Sequence, residues 1–217
     1  MDTSGLDRPR PLFARMYERI SAGMEAQGMG ALRDDMLSSI RGDVVEVGAG
    51  NGMNFSHYPA STTQIIAIEP EPHLRSLADQ AGVELDVPVT VLAGRADSLP
   101  LGDASADVGV VSLMLCALDD QSGALGELFR VIRPGGELRF LEHTTAAGPA
   151  LRTLQKVADA TVWPMLTGGC RTARDPVAAI EAAGFRVVRS RRLRFPDTWW
   201  PVPAAPHVLG VAVRPHD

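Results

Sequence analysis

The chain has little cysteine: only Cys116 and Cys170 among 217 residues. Neither stands in a C-x-x-C or Cys/His spacing, so no metal is expected, and a disulfide framework is excluded as the basis of the fold. A reducing, cytoplasmic setting follows from this usage. No run of 18 or more apolar residues occurs, and residues 1–10 lack the charged, apolar and small-residue order of a secretion signal. Net positive charge is also missing. A formal charge of −5 gives no surface for neutralising many phosphates, which disfavours nucleic acid as partner. The local exception, Arg186, Arg189, Arg191, Arg192 and Arg194, alternates with apolar residues and reads as a solvated strand face. No internal repeat, low-complexity tract or dividing linker interrupts the chain.

What is present suits one globular domain: 45% hydrophobic and 22% charged residues. Residues 1–10 are polar and are expected to fray. Helical spacing then runs through Leu12, Phe13, Met16, Ile20 and Met24, and again through Leu32, Met36, Leu37 and Ile40. After Arg41 the period changes. Short apolar runs at 43–47, 64–68, 89–92, 108–113 and 138–141 alternate with helical patterns at 73–81 and 121–132, the second stopped by a turn at Arg133-Pro134-Gly135-Gly136. That alternation is the mark of βαβ units, hence an α/β fold with a mostly parallel sheet and helices on both faces. Residues 149–166 read as one helix, 175–183 as another, and 185–193 and 207–213 as two closing strands.

One segment carries chemistry. Val44-Val45-Glu46-Val47 runs into Gly48-Ala49-Gly50-Asn51-Gly52, a strand that ends in bare backbone where a side chain would block a ligand. A nicotinamide dinucleotide loop, G-x-G-x-x-G/A, requires a small residue at the sixth position. Met53 stands there. An oxidoreductase is thereby disfavoured but is kept as a second class, beside a module that binds a nucleoside without catalysis. Seventeen residues beyond Gly52, the run Ile65-Ile66-Ala67-Ile68 ends in Glu69, whose carboxylate can accept both ribose hydroxyls of an adenosine.

These motifs resemble the class I S-adenosylmethionine-dependent methyltransferases. The segment 94–101 is similar to the third-strand motif of the ubiquinone/menaquinone C-methylases, and 130–136 to the turn before their fifth strand. A fuller resemblance is to the thiol S-methyltransferase family. It is carried by Asn54-Phe55 with Tyr58-Pro59, residues 69–73, Leu113-Met114-Leu115-Cys116, Leu141-Glu142-His143, Trp163, Gly169-Cys170, Ala183-Gly184-Phe185 and Pro206-His207. The resemblance implies a Rossmann-like seven-stranded sheet of order 3-2-1-4-5-7-6 in a single domain over 1–217. Residues 1–41 would be an N-terminal helical cap, 42–145 the cofactor half and 146–217 the acceptor side. It also implies S-adenosylmethionine as cofactor and S-adenosylhomocysteine as product. Gly48, Gly50 and Gly52 would cradle the methionine part, and Glu69 would hold the ribose. Ala96 and Asp97 would border the adenine, Leu113 would line the sulfonium end, and Glu46, Asn54 and Pro70 would complete the cofactor set. Arg95 departs from the pattern, standing where that branch often has an acid, which weakens the adenine assignment. Membrane-bound members begin with an apolar anchor helix. Here Met1-Asp2-Thr3-Ser4-Gly5 implies a soluble relative.

Methyl transfer from a sulfonium chiefly requires alignment, worth roughly 7–11 kcal/mol. A thiol acceptor needs little more, whereas a phenol or a quinone carbon needs a base. His143, directly after the fifth strand, is the candidate catalytic group. Glu142 beside it could orient the ring, although adjacent strand residues face opposite sides. Tyr17, Trp163, Cys170 and His207 are candidates for the acceptor pocket, with Trp199, Trp200 and Phe195 as apolar walls or a plug. The expected function is methylation of a small hydrophobic acceptor, a thiol first, with a phenol or quinone-like compound as the alternative.

Overall fold

The computed structural model describes residues 11–83 and 85–216; the fraying expected for residues 1–10 lies outside them. Two helices, α1 (Pro11–Ala26) and α2 (Met29–Leu37), precede the first strand. A sheet of seven strands follows: β1 (Gly42–Val47), β2 (Thr62–Ile68), β3 (Val89–Leu92), β4 (Ala106–Ser112), β5 (Ile132–His143), β6 (Arg186–Arg194) and β7 (Pro206–Val213). Their order is β3-β2-β1-β4-β5-β7-β6, as expected. Neighbours from β3 to β5 run parallel, and β7 runs antiparallel to both β5 and β6. The crossovers are α3 (Pro72–Val83) and α4 (Gln121–Val131), followed by α5 (Pro149–Asp159), α6 (Trp163–Leu166) and α7 (Pro176–Ala182).

The period of two along each strand sorts the core into two layers. Val45 and Val47 of β1 join Leu138 and Phe140 of β5 against Leu125 and Leu128 of α4 and Ile180 of α7. Val44 faces the other way, with Ile65, Val108 and Leu141, onto Met36, Leu37 and Ile40. The central strands are therefore buried on both faces and read as continuous apolar runs. Glu46 shares the face of Val44 and so points toward α2.

Two expectations are corrected. The helix expected over 149–166 is two helices. α5 ends at Asp159, and Pro164, which has no N–H to continue a helical ladder, sits in the first turn of α6. The turn at residues 133–136 is instead an irregularity within β5. Ala106 pairs with Ile132 and Val108 with Glu137, so β5 spends three extra residues there, with Gly135 at φ 79°. The arginine-rich strand is as expected. β6 is the sheet's edge, its arginines are largely exposed, and Arg191 reaches Asp35 at 2.7 Å. Charge of this kind blunts an edge against pairing with other chains.

Candidate active site

The loop leaving β1 turns on three glycines with positive φ: Gly48 (76°), Gly50 (58°) and Gly52 (79°). Its start is pinned by the amides of Gly48 and Ala49, which donate to the Ile68 carbonyl at 2.8 and 3.2 Å, tying the ends of β1 and β2 together. A Cβ on Gly50 would come within 3.0 Å of the Tyr17 ring, and one on Gly48 would overlap Met114. The loop is thus a tight turn of bare backbone, with Tyr17 of α1 over Gly50 and Met114 against Gly48. Burial pushes the Tyr17 phenol up to about 12, so it stays protonated.

Glu69 closes the cradle from the end of β2. Its carboxylate accepts from the Gly50 amide at 2.8 Å and the Glu71 amide at 2.9 Å, and burial raises it to about 7 against those two bonds. Two oxygens offer about four lone-pair sites, so two remain for ligand hydroxyls. Pro70, next in the chain, is exposed and gives its carbonyl to Arg75.

Glu46 and Asn54 lie beneath the loop, and their polar groups are engaged with the protein itself. The Glu46 carboxylate accepts from Asn54 Nδ2 at 2.8 Å and the Tyr58 hydroxyl at 2.7 Å, and Asn54 Oδ1 accepts from Arg33. Arg33 in turn reaches Glu25 at 3.1 Å. This chain of buried polar groups runs from α1 through α2 to the loop. Burial raises the Glu46 carboxyl despite the hydrogen bonds from Tyr58 and Asn54.

Around residues 95–97 the geometry is looser. Ala96 is half-buried, while exposed Asp97 is held by Arg95 through two hydrogen bonds of 2.8 and 2.5 Å, which lower its carboxyl. Arg95 is therefore Asp97's partner. At the next strand Leu113 takes a left-handed conformation, φ 55°, with its amide on the Leu141 carbonyl at 2.8 Å. Such strain in a residue other than glycine persists only where the surroundings fix it. The fixing group is Glu142: its carboxylate accepts from the amides of Met114 and Leu115 at 2.9 Å and Cys116 at 3.4 Å, and burial raises it to about 7. Glu142 thus turns the chain after β4 and faces away from His143, as strand alternation requires.

His143 meets three other residues of soft or basic chemistry. It pairs across β5 and β7 with His207, their ring centroids 4.4 Å apart. Cys116 lies within the short turn Leu115–Ala117 after β4, and Cys170 follows Gly169, whose Cα lies so close to the Ala117 carbonyl that a Cβ would come within 2.9 Å of that oxygen. The Arg171 amide donates to the Cys116 carbonyl at 2.9 Å, sewing the two cysteine segments together. The ligand atoms of Cys116, His143 and Cys170 lie within 4.8 Å of one another. Burial lowers the His143 imidazole, but Cys170 and Glu142 outweigh it and raise the ring overall. Cys170 is drawn down to about 5 by Cys116, against burial, with His143 assisting, and Cys116 is pushed well up. Burial depresses His207 to about 3, leaving it neutral, with Nδ1 2.9 Å from the Ala205 carbonyl.

The cradle sits at the end of β1 and the cluster at the ends of β4 and β5, along the carboxyl edge where open α/β sheets bind ligands. The two regions adjoin: Met114, two residues before Cys116, lies on Gly48. A methyltransferase domain model matches residues 45–140. Across 208 residues the chain is 30% identical to the thiol S-methyltransferase TMT1A of Homo sapiens, covering 93% of this chain and 83% of that protein. It is 33% identical over 175 residues to the human thiol S-methyltransferase TMT1B, covering 79% and 70%. The chain belongs to the S-adenosylmethionine-dependent methyltransferases. Among solved structures, a Haloferax volcanii methyltransferase in complex with the Trm112 activator superposes with a TM-score of 0.70 at 17% identity, covering 97% of this chain and all of that one. A Thermotoga maritima S-adenosylmethionine-dependent methyltransferase gives 0.66 at 22%, covering 93% and 98%.

The cofactor of this methyltransferase is therefore S-adenosylmethionine, and the residues at its cradle fit it: bare glycine backbone beside a buried carboxylate with lone pairs to spare. Among the described residues, no helix is long and apolar enough to cross a membrane. Sequence reasoning named His143, Cys170 and His207 but passed over Cys116, Gln155 and Arg33, whose partners are distant in sequence. Trp163 is half-buried, with its Nε1 unpartnered among the described residues. Trp199 and Trp200, expected as walls or a plug, point outward and stack edge to face, with Trp199 92% exposed; only Phe195 is buried.

Proposed function

We propose that this methyltransferase S-methylates a small apolar thiol, with residues 42–145 as the donor half and 146–217 as the acceptor side of one domain. The observation that carries the reading is His143 at the carboxyl end of β5, one strand beyond β4, with its Nδ1 buried and unpartnered among the described residues. The extent of similarity to thiol S-methyltransferases supports it, since those alignments reach 93% of this chain and so take in the acceptor side. S-adenosylmethionine supplies a methyl group already activated on a sulfonium. Gly48, Gly50 and Gly52 would receive its methionine part against bare backbone, Glu69 its ribose, Ala96 and Asp97 its adenine, and Leu113 the end that carries the methyl. Pro70 would extend this wall, while Glu46 and Asn54 hold the loop in shape from beneath.

His143 is the catalytic residue of this reading. Its free nitrogen would accept or hold the acceptor's proton, while His207, neutral and packed on it, keeps the ring in place. Trp163 and Cys170 would border the acceptor, and Tyr17 would lie over the donor. A second reading, methylation of a phenol or quinone carbon, is favoured by 25% identity over 211 residues to a ubiquinone/menaquinone C-methyltransferase of Syntrophotalea carbinolica. Incubating the protein with labelled S-adenosylmethionine and a panel of thiols, phenols and quinones separates the two. Label is expected in the thiols. Label in phenols or quinones alone would overturn the thiol assignment.

A further inference from the structure

We propose that Cys116, His143 and Cys170 form a binding site for a single zinc ion, with a fourth position open to the acceptor thiol. The inference rests on the thiol reading above and deepens it. The three residues are each 27 positions apart in sequence, so no linear spacing announces them, yet the fold brings one sulfur, one ring nitrogen and a second sulfur within 4.8 Å. Zinc takes thiolate at about 2.3 Å and imidazole at about 2.0–2.1 Å, and a tetrahedral site then spaces its ligand atoms by roughly 3.8 Å. The cluster needs to close by about 1 Å at most to reach that spacing.

Three further features favour a cation over a simple thiol pair. The backbone holds both sulfur-bearing segments independently of any S–S bond, through the Arg171 amide on the Cys116 carbonyl and Glu142 on the amides before it. A disulfide would use both sulfurs and leave the His143 ring outside the bond, whereas a cation takes one atom from each of the three residues. Charge balances too: two thiolates, a neutral imidazole and a divalent ion sum to zero, which suits a buried site.

Two sulfurs and one imidazole form a three-ligand set, and such zinc sites keep a coordination position for substrate. An acceptor thiol bound there gives up its proton to solvent on coordination and is held as a thiolate at neutral pH. With zinc present, His143 serves as ligand. Without it, His143 remains the proton acceptor described above. The methyl transfer itself is unaltered in its atoms and charges.

The test uses the full chain stripped of metal by a chelator. Zinc is titrated in competition with a chromophoric chelator, cobalt(II) is followed by absorption, and S-adenosylhomocysteine binding is measured in parallel by calorimetry. One zinc per chain is expected, with thiolate-to-cobalt charge-transfer bands that change when an alkyl thiol is added. Cys116→Ser and Cys170→Ser should each weaken zinc binding at least tenfold while S-adenosylhomocysteine still binds. In the native chain, zinc should protect both cysteines from alkylation, read by peptide mass, a measurement that survives if a variant fails to fold. Sub-stoichiometric zinc, no charge-transfer band, or equal alkylation with and without zinc would overturn the proposal. Thiols methylated by the zinc-free chain at the full rate would also overturn it while leaving the thiol reading intact. Zinc bound with no thiol methylated would do the reverse.

Discussion

The two halves of this methyltransferase are built in different ways. The proposed donor side is assembled from neighbours in sequence: the Gly50 amide meets Glu69 nineteen residues on, and Glu46 meets Asn54 and Tyr58 within twelve. The proposed acceptor side is tied together across long gaps. Gln155, fully buried on α5, accepts from the Ala146 amide and donates to the carbonyls of Thr144, Thr172 and Pro203, and Arg174 reaches the Leu115 and Leu118 carbonyls. A donor site common to many acceptors needs only a loop and a carboxylate. An acceptor site is held by tertiary contacts, and changes there can alter the substrate without touching the cofactor.

The largest expected effect sharpens this division from the donor side. Glu69→Ala removes two charge-assisted hydrogen bonds to the ribose, each worth about 1.5–3 kcal/mol, so S-adenosylhomocysteine affinity should fall at least about 100-fold by calorimetry. Gln155→Ala should act on the other half alone. It removes one acceptor and two N–H donors shared among three buried carbonyls, and a loss of about 2–3 kcal/mol is expected in urea unfolding, with cofactor affinity changed less than about threefold. A comparable loss of cofactor affinity would break the separation of the halves. Glu46→Gln, which spares one acceptor oxygen, should weaken cofactor binding about tenfold through a loosened loop.

Acidity gives a graded test. Glu69 and Glu142, both raised to about 7 by burial, bind more protons in the folded than in the unfolded chain between about pH 4.5 and 7. Their contribution to stability therefore falls as pH rises through that window, while cofactor affinity, which needs Glu69 ionised, rises over the same range. Calorimetry from pH 5 to 8 should show the rise in affinity, and the fall in stability is read as the difference in denaturation midpoint between the native chain and Glu142→Gln, because His207 and Cys170, lowered on folding, contribute with the opposite sign. The smallest effect belongs to Arg95→Ala. The Arg95–Asp97 pair is exposed and worth about 0–1 kcal/mol, so cofactor affinity should change by less than about fivefold.

The same contrast explains what could be read from the sequence. β1, the glycine loop and Glu69 were legible because their chemistry and spacing lie in one short stretch, and the sheet followed from alternating apolar runs. Pro164 is visible in the sequence, but the periodic apolar positions on either side of it hid the break between α5 and α6. The turn chemistry of residues 133–136 concealed that pairing with β4 resumes on both sides of it. Cys116 entered only as part of the resemblance because nothing near it in the chain is a partner, and the outward stacking of Trp199 on Trp200 has no sequence signal.

The central claim is that the glycine loop with Glu69 holds the donor while His143, at the end of β5, readies a sulfur for attack. It is tested most directly by measuring methyl transfer by the native protein and by His143→Ala across alkyl thiols of graded acidity, with S-adenosylhomocysteine affinity measured beside it. The account predicts a native rate that varies little with thiol acidity and a variant rate that drops most for the least acidic thiols, with donor affinity unchanged. An equal loss for every thiol, or loss of donor binding in the variant, would contradict it.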